Sequence, residues 1–291
     1  MEKGAEPRAR VPELDGLRGI AIGPVLVYHF FLIPSNPQPG TFFAYLLVPG
    51  RLAWSGVDLF FVLSGFLIGG ILLHERDSPN YFRAFYTRRF FRIIPMYTVT
   101  LVFFYGLMFI VRAGYAKNFA SMLNDQLPWY SYPVFIQNFW MMFRDTLGPS
   151  TLGVTWSLAI EELYLTLPLL AGMYLCILLY GIIFSESFIG KFLRMRWLRS
   201  LGLIAYGLYL MHFPVQGMLF GLKWGRAPFI SSVSTAALNA FGLIATVAIC
   251  ALSWKYFENP LIKLGHRVSY QDLSTARVQP IATEIARDVG S

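Results

Sequence analysis

The sequence predicts an all-α protein: a polytopic transmembrane helix bundle of about six spans, with one aromatic re-entrant or interfacial segment. Three observations carry that prediction. The 291 residues are 56% hydrophobic, 17% aromatic and only 14% charged, with a mean hydropathy of +0.52, outside the range of soluble domains. The apolar residues fall in runs of about twenty, long enough to cross a bilayer as helices. The Lys and Arg that give the net charge of +8 lie between those runs, as cytoplasmic loops require, rather than in one stripe. A nucleic-acid partner is excluded by the same pattern.

The polar start, residues 1–13, reads as a cytoplasmic tail. The charged opening resembles a signal peptide, but no small-residue cleavage site follows, so the first span is read as retained. That span runs from Gly16 to Ile33. Gly19 and Gly23 offer a face for close helix contact, and Pro24 is expected to kink it. Arg18 and His29 are eleven residues apart, within about 20° of one helix face and roughly 16 Å along the axis. Ionisable side chains inside an apolar span mark function; an interfacial anchor and a hydrogen-bonded packing residue are the structural alternatives.

Phe42–Val48 is apolar but short. Span two is Gly56–Leu73, where Asp58, Gly65 and Gly69 share a face expected to meet another helix. The alternative for Asp58 is a helix-start acid held by the dipole. The basic segment FYTRRFFRIIP leads into span three, Ile93–Val111. Arg88, Arg89 and Arg92 in it set topology and have the geometry to hold phosphates. Residues 113–155 contain no clean span; Trp129, Tyr130, Tyr132 and Trp140 suit a membrane interface, and the segment is placed outside as a cap over the site. Span four is Trp156–Phe184, with a break expected at Pro168. Glu161 and Glu162 lie one turn into it and point different ways. The loop 185–200 is basic. Span five is Leu201–Phe220, with Tyr206, Tyr209 and His212 along one flank. Span six is Ser234–Trp254. Residues from Ser269 onward form a polar tail, so residues 14–268 are the membrane domain and both termini are cytoplasmic. Cys176 and Cys250 each lie in an apolar run, with no disulfide, metal site or thiol nucleophile expected.

Six segments, LDGLRGIAIGPVLVYHF, GVDLFFVLSGFLI, FYTRRFFRIIPMY, WSLAIEELYLTLPLL, LGLIAYGLYLMHFPV and KYFENPLIK, together resemble the membrane-bound acyltransferase-3 family of bacterial O-acyltransferases. The resemblance implies an inner-membrane enzyme with no tightly bound cofactor. It would use acetyl-CoA or another acyl-CoA as co-substrate and a hydroxyl of a cell-surface glycan or lipid-linked sugar as acceptor. The family's arginine–histidine motif falls on Arg18 and His29, its second-helix acid on Asp58, its basic cluster on Arg88, Arg89 and Arg92. Its tryptophan-serine-leucine-acid motif falls on Trp156, Ser157 and Glu161. On that reading His29, Asp58 and Glu161 are catalytic, with His29 the general base. Arg18, Arg88, Arg89 and Arg92 hold the CoA phosphates, and Trp156, Ser157, Glu162 and His212 contact the acceptor. The chain departs from the family in having several central helices fewer, and Ala205 where a serine is common. Self-association would complete such a shortened bundle. A non-catalytic scaffold or transport protein derived from the same fold is the alternative, and the intact set of intramembrane charges favours the enzyme.

Overall fold

The computed structural model describes residues 11–37, 40–41, 44–45, 48, 50, 53, 55–124, 126–160, 176 and 186–270. Every regular element among them is helical. Helix α1, Pro12–Val27, begins on a proline whose missing N–H costs nothing at that position, and Glu13 and Asp15 lie in its first turn. Both acids are buried. Glu13 meets Arg194 at 3.4 Å and Asp15 meets Arg18 at 3.0 Å. The helix continues through Pro24 and widens instead into a π-helical turn, Tyr28–Leu32, followed by the short turn Ile33–Ser35.

Helix α2 is Gly56–His74 and runs back along α1. Its Gly56 lies against Ala21 O, and Leu59 and Leu63 pack with Leu14, Leu17 and Ala21. Helix α3, Tyr81–Arg112, has 32 residues. At 1.5 Å per residue it is about 48 Å long, well beyond a hydrocarbon layer of about 30 Å. Its surplus length carries the arginines at one end and the cap at the other. The cap, residues 113–154, contains α4, Gln137–Arg144, and leads into α5, Thr155–Ile160. Tyr97 donates to Tyr132 O at 2.9 Å and stacks on Phe135, and Tyr105 donates to Trp129 O. Thus Tyr132 is a core residue, 1% exposed, and not the interfacial aromatic its neighbours implied.

Helices α6, Phe188–Leu193, and α7, Arg196–Leu203, pack across the start of α1. The crossing is backbone against backbone. A Cβ at Gly202 would lie 1.8 Å from Asp15 O, at Gly16 2.0 Å from Leu193 O, and at Gly19 2.2 Å from Leu198 O. The close face is therefore Gly16–Gly19, not Gly19–Gly23; a Cβ at Gly23 would meet no described atom within 4 Å. Gly65 and Gly69 likewise meet no described atom within 4 Å, so the expected helix partner for that stripe is not found among the described residues.

Helix α8, Ala205–Trp224, carries His212 and Gln216. Helix α9, Val233–Ser253, starts from a reciprocal Ser232–Thr235 cap. It passes through a second π turn, Trp254–Glu258, into α10, Asn259–Gly265. Among the described residues four helical segments are long and apolar enough to cross a membrane: Pro12–Ser35, Gly56–His74, Tyr81–Arg112 and Val233–Gly265. α7 and α8 pass as a fifth only together, and they are bent by 71°. Span five is thus broken at Ile204, and span six runs on to Gly265. Span four falls almost entirely outside the described residues, as does most of Phe42–Val48. Tyr270 is buried, with the Arg88 guanidinium carbon 4.5 Å from its ring centroid.

Candidate active site

The π turn sets the position of His29. Proline at 34 has no N–H, and its ring clashes with the carbonyl four residues back, Phe30, in a regular helix; widening the turn relieves that clash. Ile33 N–H then reaches Tyr28 O. His29 O loses both donors the chain could offer, because Ile33 is engaged and Pro34 has none. The Gln216 side chain takes their place, donating from Nε2 to His29 O at 3.3 Å and to Asn239 Oδ1 at 2.7 Å. Asn239 in turn donates to Thr235 O at 3.0 Å. Gln216 and Asn239 are both buried. Neither was singled out from the sequence, although an amide in an apolar run was the available signal.

The His29 ring lies with its centroid 4.8 Å from that of His212 and 4.7 Å from that of Phe213. Its Nδ1 is 2.9 Å from Val25 O. A carbonyl oxygen only accepts, so Nδ1 carries the proton and the neutral ring presents its lone pair at Nε2. The same logic holds for His212, whose Nδ1 is 3.0 Å from Leu208 O. His212 is fully buried, and its Nε2 has no partner among the described residues. Two imidazoles of the same tautomer thus lie one behind the other, tilted by 39°, with His29 facing a cavity.

That cavity has a volume of about 480 Å³, and Tyr28, His29, Val57, Trp156, Tyr209 and Phe213 line it, with cap residues from Leu147 to Val154 closing one side. Ser157 Oγ is 2.8 Å from the Tyr209 hydroxyl, and both oxygens lie within 3.2 Å of Val154 O. This knot ties the end of the cap to α8. Asn138 Nδ2 donates to Trp156 O at 2.8 Å and secures the same junction from α4.

Asp58 is 8% exposed in the first turn of α2, and its Oδ2 has no hydrogen-bond partner among the described residues. It does not line the cavity. The partner of His29 Nδ1 is Val25 O, where a triad would place an acid. Arg18 sits on the same helix as His29, bonded to Asp15. All but the last two of the eleven steps between them are regular α-helix, so the spacing of about 16 Å holds. Glu161 and Glu162 lie outside the described residues.

A match to the acyltransferase-domain model of family 3 covers residues 11–171, more than half of the chain. The chain belongs to the acyltransferase-3 family. Peptidoglycan O-acetyltransferase OatA of Listeria monocytogenes is 34% identical over 163 residues, 53% of this chain and 23% of the relative. A Bacillus subtilis protein named "Putative peptidoglycan O-acetyltransferase YrhL" is 35% identical over 176 residues, 57% of this chain and 24% of the relative. The chain spans about a quarter of the length of these relatives. No solved structure matches it.

The family match encloses Arg18, His29, Asp58, the three arginines, Trp156, Ser157, Glu161 and Glu162; His212 lies beyond it. The arginines start α3, apart from the cavity. Arg88 donates to Val268 O at 3.0 and 3.3 Å, so one of the three binds the chain's own C-terminal segment. Arg89 is half-buried and Arg92 exposed. Desolvation first, then the charges of Arg88 and Arg92, hold the His266 imidazole below its ordinary range. His266 completes this basic corner between α3 and α10.

Proposed function

We propose that this integral-membrane protein transfers an acyl group, acetyl by preference, from acyl-CoA to a hydroxyl of a cell-surface glycan or lipid-linked sugar. The observation that carries the reading is His29: a tautomer-fixed imidazole whose lone-pair nitrogen serves a cavity of substrate size. A hydroxyl becomes a nucleophile when a base takes its proton. His29 Nε2 accepts that proton as the hydroxyl oxygen attacks the thioester carbonyl. The C–S bond breaks, and the CoA thiolate leaves and takes the proton back from His29.

Val25 O fixes the ring and accepts from Nδ1–H throughout, the part a carboxylate plays in a triad. Asp58, buried on α2 against α1, supplies the negative charge that offsets the transient imidazolium. Glu161 acts with it on the acceptor. Trp156, Ser157 and His212 shape the acceptor pocket, with Glu162 at its edge. Arg18 and the basic corner of Arg88, Arg89 and Arg92 hold the CoA phosphates from the cytoplasmic side of a bacterial inner membrane. The pantetheine arm then spans the distance of about 16 Å along α1. Relatives named for peptidoglycan O-acetylation support a glycan acceptor.

Thermal unfolding with and without CoA tests the donor half. A ligand bound only to the folded state at a hundred times its Kd adds about 2.7 kcal/mol. Saturating CoA is expected to raise the melting temperature of the wild type, and Arg18→Ala is expected to lose most of that rise. An unmoved melting temperature in the wild type overturns the donor assignment.

A further inference from the structure

We propose that a polar cleft on the cap, between Gln126 and Arg144–Thr146, is a carbohydrate subsite that seats a pyranose of the acceptor beside the His29 cavity. The proposal rests on the reading above that the acceptor is a glycan. It places that acceptor's second contact on a surface apart from the residues assigned to chemistry.

The cleft has a volume of about 360 Å³ and is lined by Gln126, Arg144, Asp145 and Thr146, within the size range of small-molecule sites. Its charged groups are placed for an outside partner. Arg144 ends α4; its Nη1 donates to Gln126 O at 3.1 Å, and its Cζ lies 5.6 Å from the Trp140 ring centroid. The Gln126 amide oxygen is held by Arg112 Nη2 at 2.7 Å. Asp145 follows Arg144 as the left-handed C-cap of α4, φ +49°, an ordinary helix end that places its carboxylate beside the guanidinium along the cleft. No ion pair links Asp145 to Arg144 or to any other described residue. A planar donor fork and a carboxylate acceptor, side by side and not paired with each other, match two neighbouring hydroxyls of a sugar, each of which both donates and accepts.

An aromatic surface adjoins that pair. Tyr130 lies edge-on to Trp140 at 6.4 Å, and Trp129 edge-on to Tyr130 at 6.1 Å. Trp129 is 68% exposed. Rings of this kind cover the C–H face of a pyranose while its hydroxyls turn to Arg144 and Asp145. The two cavities are also consecutive along the chain. Thr146 lines the cleft, and Leu147, Gly148 and Ser150 line the His29 cavity. The two cavities thus meet at the Thr146–Leu147 step of the chain.

The test uses the full chain in lipid nanodiscs. Binding of the β-1,4-linked N-acetylglucosamine tetrasaccharide, and of maltotetraose in parallel, is followed by saturation-transfer NMR. At least one is expected to bind, and Arg144→Ala and Asp145→Asn are each expected to weaken it tenfold or more. Both variants are expected to keep the CoA-induced rise in melting temperature, which shows that they fold. The proposal is overturned if neither saccharide binds the wild type, or if both variants bind as the wild type does. It is also overturned if brominated-chain lipids quench the emission that Trp140→Phe removes, because the aromatic surface then sits in the bilayer interface. Saccharide binding that depends on Arg144 without any response to CoA would instead sink the CoA-donor assignment and leave the subsite standing.

Discussion

Replacing Gln216 with leucine isolates the contact that holds His29. Leucine keeps the volume and removes the donor. Two buried acceptors then lose their hydrogen bond: His29 O, which Pro34 and Ile33 cannot serve, and Asn239 Oδ1. At about 1 kcal/mol each inside a membrane protein, the loss is about 2 kcal/mol, and the melting temperature falls by on the order of 5 °C. Acyl transfer falls further, because a displaced base forfeits alignment at the reacting centre. The second variant makes the reasoning sharp. Pro34→Ala restores a backbone N–H at the position where the chain lacks one. In Gln216→Leu/Pro34→Ala, His29 O regains a donor either from residue 34 or, if the turn closes to a regular helix, from Ile33. The double variant should therefore recover about half the lost stability, measured by thermal unfolding in nanodiscs across all four members of the cycle. Activity need not return, because a closed turn rotates the imidazole. A Gln216→Leu variant as stable as wild type, or a double variant no more stable than Gln216→Leu, refutes the account of the π turn.

The remaining predictions concern the scaffold and the basic corner. Gly202→Ala forces a Cβ to within 1.8 Å of Asp15 O and should cost about 2 kcal/mol or more by overpacking, whereas Gly23→Ala, in open space, should cost nothing; thermal unfolding of the pair reads both. Tyr209→Phe removes the hydroxyl that pairs with Ser157 and Val154 O, so stability should fall by about 1 kcal/mol and acceptor KM should rise, while CoA binding stays constant. Because the His266 pKa is depressed, the ring is neutral at pH 7 and its contribution to folding is lost as pH falls below the unfolded value of about 6.5. A bound phosphate favours the charged ring, so CoA binding takes up a proton there. Relative to His266→Gln, wild-type affinity should improve by roughly threefold between pH 7.5 and 5.5, the size of one exposed charge contact; parallel pH profiles of the two proteins contradict the placement.

Much of the helical frame was legible because long apolar runs admit one solution in a bilayer. The start of α2 at Gly56 follows from the apolar run, and so does the placing of Arg18 and His29 on one helix about three turns apart. The start of α8 does not, because Leu201–Phe220 reads as one span whereas the chain bends at Ile204. What was not legible depends on contacts between segments distant in sequence. Gly16 rather than Gly23 became part of the close face because α6 and α7 cross near the start of α1, and no pattern within α1 encodes where they lie. Tyr132 reads like Trp129 in sequence, yet Tyr97 on α3 draws it into the core. The partner of His29 Nδ1 is a carbonyl four residues back on the same helix, which no side-chain pattern marks. The role of Gln216 depended on a missing N–H at Pro34, visible in the sequence only once the π turn is known. His266 acquired meaning from Arg88 and Arg92, which lie more than 170 residues before it.

The central claim is that His29 is the base of an acyl transfer. Detergent-purified wild type and His29→Ala should be given acetyl-CoA together with a membrane glycan extract, with both free CoA and acetylated glycan quantified. The account predicts that the wild type yields both products in equal amounts and that His29→Ala is slower by about 10²–10⁴, while still gaining heat stability from CoA. Equal rates of acetylated-glycan formation in the two proteins would contradict it.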